Sequence, residues 1–123
     1  MVYASTEDYL RYYTVVPENF DRIAERASRD IDTLTYHRII GADWDSLTDF
    51  QRSTITECTC ELIQFIDENS DVLDGVLNSY AINGVSMQFD FNVAVYRRNG
   101  VTIRSNTYSK LIGTGLCYAG GLR

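Results

Sequence analysis

The chain has 123 residues, enough for one domain with a modest core, and 45% of them are hydrophobic, as in an ordinary folded protein. No apolar run approaches the roughly 20 residues that span a bilayer, and Met1 to Glu7 lacks the basic and apolar regions of a signal peptide, so a soluble, non-secreted, membrane-free product is expected. The net charge of −6 is unevenly spread: residues 1–75 hold 16 of the 17 acids and 6 of the 11 bases, a net of −10, whereas residues 76–123 set Asp90 against Arg97, Arg98, Arg104, Lys110 and Arg123, a net of +4. This pattern argues against a dedicated DNA binder, which carries a basic domain, and favours self-association or a partner of mixed charge.

In chain order, Thr6 is expected to cap a short helix over Glu7 to Thr14, with Tyr9, Leu10 and Tyr13 on one face and two acids in its first turn. Pro17, the only proline, ends that helix and opens a second, expected to run to about Ile39. Phe20, Ile23, Ala24, Ala27, Ile31 and Leu34 give the second helix an apolar stripe. Glu18 with Arg22 and Glu25 with Arg29 are spaced for i to i+4 pairing. Gly41 fits the position just past its end.

A short linker, Ala42 to Asp45, leads to the central helix, expected over Ser46 to Asn69 with Ser46 as its cap and Asp49 reaching back. Leu47, Phe50, Thr54, Cys58, Leu62, Phe65 and Ile66 recur every three or four residues, with Ile55 at the edge of the stripe. Asp49, Arg52, Ser53, Thr56, Cys60, Gln64 and Asp67 fall on the side expected to be wet. Two amphipathic helices joined by so short a loop pack antiparallel, and Trp44 is expected to fold over the open end of the pair.

Val72, Leu73, Val76 and Leu77 add a helical turn or two. The period then changes. Tyr80-Ala81-Ile82, Asn83-Gly84 and Val85 to Phe89 form the pattern of a hairpin with a type I′ turn. Asn99-Gly100, between Val93 to Tyr96 and Val101 to Ile103, is a second such signal. Ser105 is expected to cap a last helix, Asn106 to Ile112, with Tyr108, Leu111 and Ile112 as apolar contacts, ended by Gly113 and Gly115. Leu116 to Arg123, with Gly120-Gly121, shows no period and is expected to be mobile in the isolated subunit. The expected class is therefore mainly α: a small helical bundle of two long antiparallel helices plus short terminal helices, with a β-hairpin extension. It divides into a helical body (1–78), a hairpin arm (79–104) and a C-terminal helix with tail (105–123), all in one domain.

Signs of chemistry are sparse. Three cysteines cannot all pair, and Cys58 and Cys60 lie two apart, on opposite sides of a helix, where ligand pairs sit three or four apart. Cys58 is expected in the core, with Cys60 and Cys117 free thiols in a reducing cytosol. His37 is the single histidine and lies off the apolar stripe. Glycine-rich phosphate loops and spaced Cys/His clusters are missing from the sequence, so no catalytic, metal or cofactor residue is assigned. Ser46 to Arg52 has the Leu-Thr-x-x-Gln-Arg flavour of helix-turn-helix segments, but the following helix carries Glu57, Glu61, Asp67 and Glu68, the wrong sign for phosphates. Nine tyrosines, and ten arginines against one lysine, are a composition that contact surfaces favour.

The C-terminal third is more specific. Ser79-Tyr80-Ala81-Ile82-Asn83-Gly84-Val85-Ser86, then Asn99-Gly100-Val101-Thr102-Ile103, then Tyr108-Ser109-Lys110-Leu111-Ile112-Gly113-Thr114-Gly115-Leu116-Cys117-Tyr118 resemble the head–tail adaptor (connector) proteins of long-tailed bacteriophages. In that family a small helical body precedes a Ser-Tyr-x-Ile-x-Gly-Val-Ser hairpin, and a Tyr-x-x-Leu-x-x-Thr-Gly-Leu segment closes the chain. Thr6 to Tyr9 and the two long helices extend the resemblance over nearly the whole chain. The resemblance implies a structural virion protein rather than an enzyme, made in the bacterial cytoplasm and placed at the head–tail interface. It implies a ring of copies following the portal's twelvefold symmetry, with the portal and the next neck (stopper) protein as partners and duplex genome passing through without sequence-specific binding. Partner contacts are expected at Ser79, Tyr80, Ile82, Val85, Met87, Phe89, Tyr108, Leu111, Leu116, Cys117 and Tyr118, and the adjacent Arg97 and Arg98 are expected to meet acids of a neighbouring chain. The alternatives are another neck or tail-completion protein, or a small helical DNA-binding regulator. The acidic balance further suggests a channel that does not grip DNA.

Overall fold

A computed structural model of the chain describes residues 2–80 and 95–117, with side chains for 2–69 and 95–117. The described residues form five α-helices and one two-stranded antiparallel sheet: α1 (Thr6–Leu10), α2 (Phe20–Leu34), α3 (Arg38–Ala42), α4 (Asp49–Tyr80), β1 (Val95–Arg98), β2 (Val101–Arg104) and α5 (Ser105–Ile112). A 3-10 turn, Trp44–Ser46, joins α3 to α4. The protein is mainly helical, as its periodicity implies, and α4 is the element that α1, α2, α5 and β2 all pack against.

Helix boundaries differ from expectation where capping decides them. Ser5, not Thr6, caps α1: the Asp8 N–H donates to Ser5 Oγ (3.2 Å) and the Ser5 N–H donates to Asp8 Oδ2 (3.0 Å), a reciprocal box. The helix stops at Leu10, short of Thr14, ahead of β-branched Val15-Val16 and of Pro17, which disfavours helix in the residue before it. α2 starts at Phe20, after Pro17, and ends at Leu34 rather than Ile39. Tyr36 (φ 54°) and His37 (φ 59°) both turn left-handed, and the His37 N–H donates to Asp32 O at 2.8 Å, the closure of a Schellman end. Tyr36 thus occupies the place that glycine usually takes, while Gly41 lies inside α3. Neither Glu18–Arg22 nor Glu25–Arg29 closes as an ion pair among the described residues.

The cap of α4 is Thr48 rather than Ser46. Gln51 N–H donates to Thr48 Oγ1 (3.0 Å) and Thr48 N–H to Gln51 Oε1 (2.9 Å), whereas the Ser46 hydroxyl donates back to Asp43 O (2.8 Å) within the turn. Asn69 does not end the helix but kinks it: its backbone leaves helical geometry (φ −121°, ψ 17°), its side-chain amide donates to Phe65 O (2.8 Å), and the helix continues to Tyr80. Tyr80 therefore closes a helix instead of opening a strand; the rest of the expected Asn83-Gly84 hairpin lies outside the described residues.

Leu47, Thr54, Ile55, Cys58, Leu62, Phe65 and Ile66 are buried as the stripe predicts, but Phe50 is 62% exposed, and Cys60, expected on the wet side, is buried, as are Thr59 and Ile63. The physical reason is that α4 is enclosed from more than one direction. α1 covers the flank that carries Cys60, while α2, α5 and β2 cover the stripe. The Asn99-Gly100 hairpin forms as expected, with both turn residues at positive φ (52° and 84°) and Arg98 opposite Val101. Val101, Thr102 and Ile103 are buried in succession, and Val101 and Ile103 belong to the same core cluster as the helices.

Candidate functional site

The C-terminal segment is anchored onto α4 by a set of polar and apolar contacts. Arg104, not Ser105, stands at the N-cap position of α5, in extended conformation and without a side-chain cap bond. Leu111 is fully buried and Tyr108 stacks on Tyr96 of β1 (centroids 4.5 Å apart, planes at 15°). Ile112, expected to pack, is 48% exposed. Thr107 is buried and donates to Glu61 Oε1 (2.6 Å), and its backbone oxygen accepts from the Cys58 thiol (3.5 Å). Lys110 sits between Glu57 (3.0 Å) and Glu61; these two carboxylates hold its ammonium charge by raising its pKa. Past the helix, Thr114 donates to Leu111 O (2.7 Å), its oxygen accepts from the Leu116 N–H (3.3 Å), and Gln51 of α4 donates to Thr114 O (3.0 Å). Gly115 has φ 80°, which its lack of a side chain allows. Leu116 and Cys117, expected to lie in a mobile tail, are half-buried against the core.

The hairpin is tied to the end of α2. Arg98 donates to the hydroxyls of Tyr36 (3.0 Å) and Tyr96 (3.4 Å). Its bond to Tyr36, with a second from Asn99, lowers the Tyr36 pKa. Arg104 contacts Glu61 O (3.5 Å), Glu68 (3.6 Å) and the face of Phe65 (5.0 Å). Arg97 makes no side-chain hydrogen bond, ion pair or ring contact among the described residues, although it adjoins Arg98.

Of the residues expected to touch partners, Tyr108, Leu111, Leu116, Cys117, Arg97 and Arg98 are thus gathered around α4, β1 and α5. Leu111 is occupied in this chain's own core. Ser79 and Tyr80 form the last turn of α4, and Ile82, Val85, Met87, Phe89 and Tyr118 lie outside the described residues. His37 is exposed in its left-handed turn. The thiols are poor nucleophiles: burial raises the pKa of Cys58, pushes Cys60 to about 12 and Cys117 to about 11. Among the described residues no three His, Cys, Asp or Glu side chains come together as a metal site, and no helix is long and apolar enough to cross a membrane.

A second surface was not marked by the sequence. An open cavity of about 640 Å³ lies between the N-terminal segment and α2. Tyr3, which is buried, forms one wall: its N–H donates to Ser28 Oγ (3.1 Å), its hydroxyl to Asp32 Oδ1 (2.5 Å), and its ring stacks on Trp44 (5.5 Å, 16°). Trp44 thus covers the N-terminal segment, and it lines the cavity together with Phe20 and Ala24 of α2 and Thr56 of α4. Comparison with protein-family models, with curated proteins and with solved structures returns no match.

Proposed function

We propose that the chain is a head–tail adaptor of a long-tailed bacteriophage, a structural virion subunit that performs no covalent chemistry. Copies assemble as a ring beneath the portal, extend the DNA channel and dock the next neck protein; α2 and α4 are then the long antiparallel pair of its small bundle.

One observation carries this reading. Every fixed position of the Tyr-x-x-Leu-x-x-Thr-Gly-Leu phrase has a distinct structural task here. Tyr108 stacks, Leu111 fills the core, Thr114 bridges the turn, Gly115 supplies positive φ and Leu116 packs back. The positions on which the resemblance rests thus serve the packing of this chain's own C-terminal element, which supports the reading, and intervening positions such as Ile112 stand exposed. The exposed apolar side chains Leu10, Val15, Ile40 and Phe50 give further surface for neighbouring subunits. Electron microscopy of the purified protein mixed with the portal ring of its phage tests the proposal. A second ring of density under the portal is the expected result, and bare portals overturn it.

A further inference from the structure

The cavity beside α2 combines three features. Its walls mix apolar Tyr3, Phe20, Ala24 and Trp44, of which the half-buried Trp44 offers the most open ring, with polar Ser5, Thr6 and Thr56, and two carboxylates, Asp21 and Glu25, stand one helical turn apart along its edge. Both are exposed, and neither makes a hydrogen bond or ion pair among the described residues. The third acid at the edge, Asp8, is already engaged by Ser5 and Arg11. A slot with an open ring and two unpaired carboxylates suits a flat cation on a long apolar stem, that is, an arginine, which can lie over a ring and bond a carboxylate with two N–H groups. This chain already sets guanidinium groups over rings at Arg104–Phe65 and Arg38–Tyr36.

The cations of the described C-terminal part narrow the donor. Arg98 is held by Tyr36 and Tyr96, Arg104 by Glu61 and Glu68, and Lys110 by Glu57 and Glu61. Arg97 alone among them has no side-chain partner, and it stands one residue from the closing pair of the hairpin, whose Asn99-Gly100 tip is exposed. It cannot reach the slot of its own chain. Asp21 lies at the start of α2, whereas Arg98 holds the hairpin to Tyr36 just past its end, roughly 20 Å away at 1.5 Å per residue.

We infer that the slot beside α2 receives Arg97, the half-buried β1 residue one position before the closing pair of the β1–β2 hairpin, from a second copy of the chain. The inference rests on the self-association in the proposed function and adds which surfaces meet. Because slot and hairpin are different surfaces, the contact is head-to-tail: each copy gives its hairpin to one neighbour and its slot to the other, so copies join in a row that closes into a ring when the rotation allows.

Sedimentation of the full chain over a range of concentrations tests it with two variants. One reverses the slot (Asp21→Arg with Glu25→Arg) and the other reverses the hairpin (Arg97→Glu); circular dichroism confirms that each is folded. Each variant alone should associate at least about tenfold more weakly than the unchanged protein, as expected for the loss of a close interfacial charge pair. An equimolar mixture should recover association, because the reversed slot then meets the reversed hairpin. Variants that associate like the unchanged protein overturn the inference while self-association stands. Weakened variants that the mixture does not rescue overturn the pairing as well. An unchanged protein that stays monomeric throughout overturns both the inference and the self-association beneath it.

Discussion

Substituting Tyr3→Phe removes one buried hydroxyl and little else. The ring, its stack on Trp44 and the backbone bond to Ser28 are all kept. Lost is the donor to Asp32, whose side chain is enclosed with only 7% of the residue exposed. Burial, followed by the hydrogen bond to Asp32, raises the Tyr3 pKa, so the phenol carries its proton throughout the working range. A hydrogen bond to a charged group is worth about 1.5–3 kcal/mol, and a neutral one about 1 kcal/mol. Tyr3→Phe should therefore cost about 2 kcal/mol at pH 7, but only about 1 kcal/mol in an Asp32→Asn background, where the acceptor remains and the charge does not. Urea denaturation followed by far-UV circular dichroism reads both; with a slope of about 2 kcal/mol per molar, the first substitution moves the midpoint by about 1 M. Equal costs in the two backgrounds, or a cost below about 0.5 kcal/mol, would refute the claim that this hydrogen bond anchors the N-terminal segment.

Asp30 is half-buried, and burial pushes its carboxyl up to about 6 despite the opposing Arg26 and Arg29, from an ordinary 3.8. Between those values the folded chain holds a proton that the unfolded chain releases, so Asp30 costs stability progressively as pH rises from about 4 to about 6. Asp30→Asn should stabilise the protein by about 1–2 kcal/mol at pH 7 and by nothing near pH 3; an equal effect at both pH values would contradict the assignment. Thr48→Ala should cost about 1 kcal/mol through loss of the α4 cap, and Thr48→Ser should restore most of it in the same urea titration. Gly100→Ala should cost about 1 kcal/mol through its positive φ alone, since no side chain stands within reach of a new methyl group. The buried cysteines 58 and 60 should resist a thiol reagent at pH 7 until urea unfolds the chain; rapid labelling of either in the native protein would place it outside the core.

The legible parts of the fold were those set by local pattern. The stripe from Leu47 to Ile66 and the Asn99-Gly100 turn depend on residues near one another in sequence, and both appear with one main exception, Phe50. Where neighbouring hydroxyls compete, pattern alone could not choose: Ser5 caps instead of Thr6 because Asp8, three residues on, bonds back, and Thr48 caps instead of Ser46 because the Ser46 hydroxyl donates to Asp43 O within the turn while Gln51 bonds back to Thr48. The end of α2 was hidden because a tyrosine, not a glycine, takes the left-handed position. Cys60 was misplaced because α1 covers a face that a two-helix view of α4 leaves wet. The slot draws on Tyr3, Phe20 and Trp44, three separated stretches brought together by the Tyr3–Asp32 bond across 29 positions and the Tyr3–Trp44 stack, and no periodicity carries such contacts.

Electron microscopy of portal rings incubated with the purified protein at high concentration tests the central claim most directly. Rings of subunits stacked coaxially on the portal, sharing its rotational symmetry, are the predicted result. Portals without added density, together with a protein that sediments as a single chain at every concentration, would contradict it.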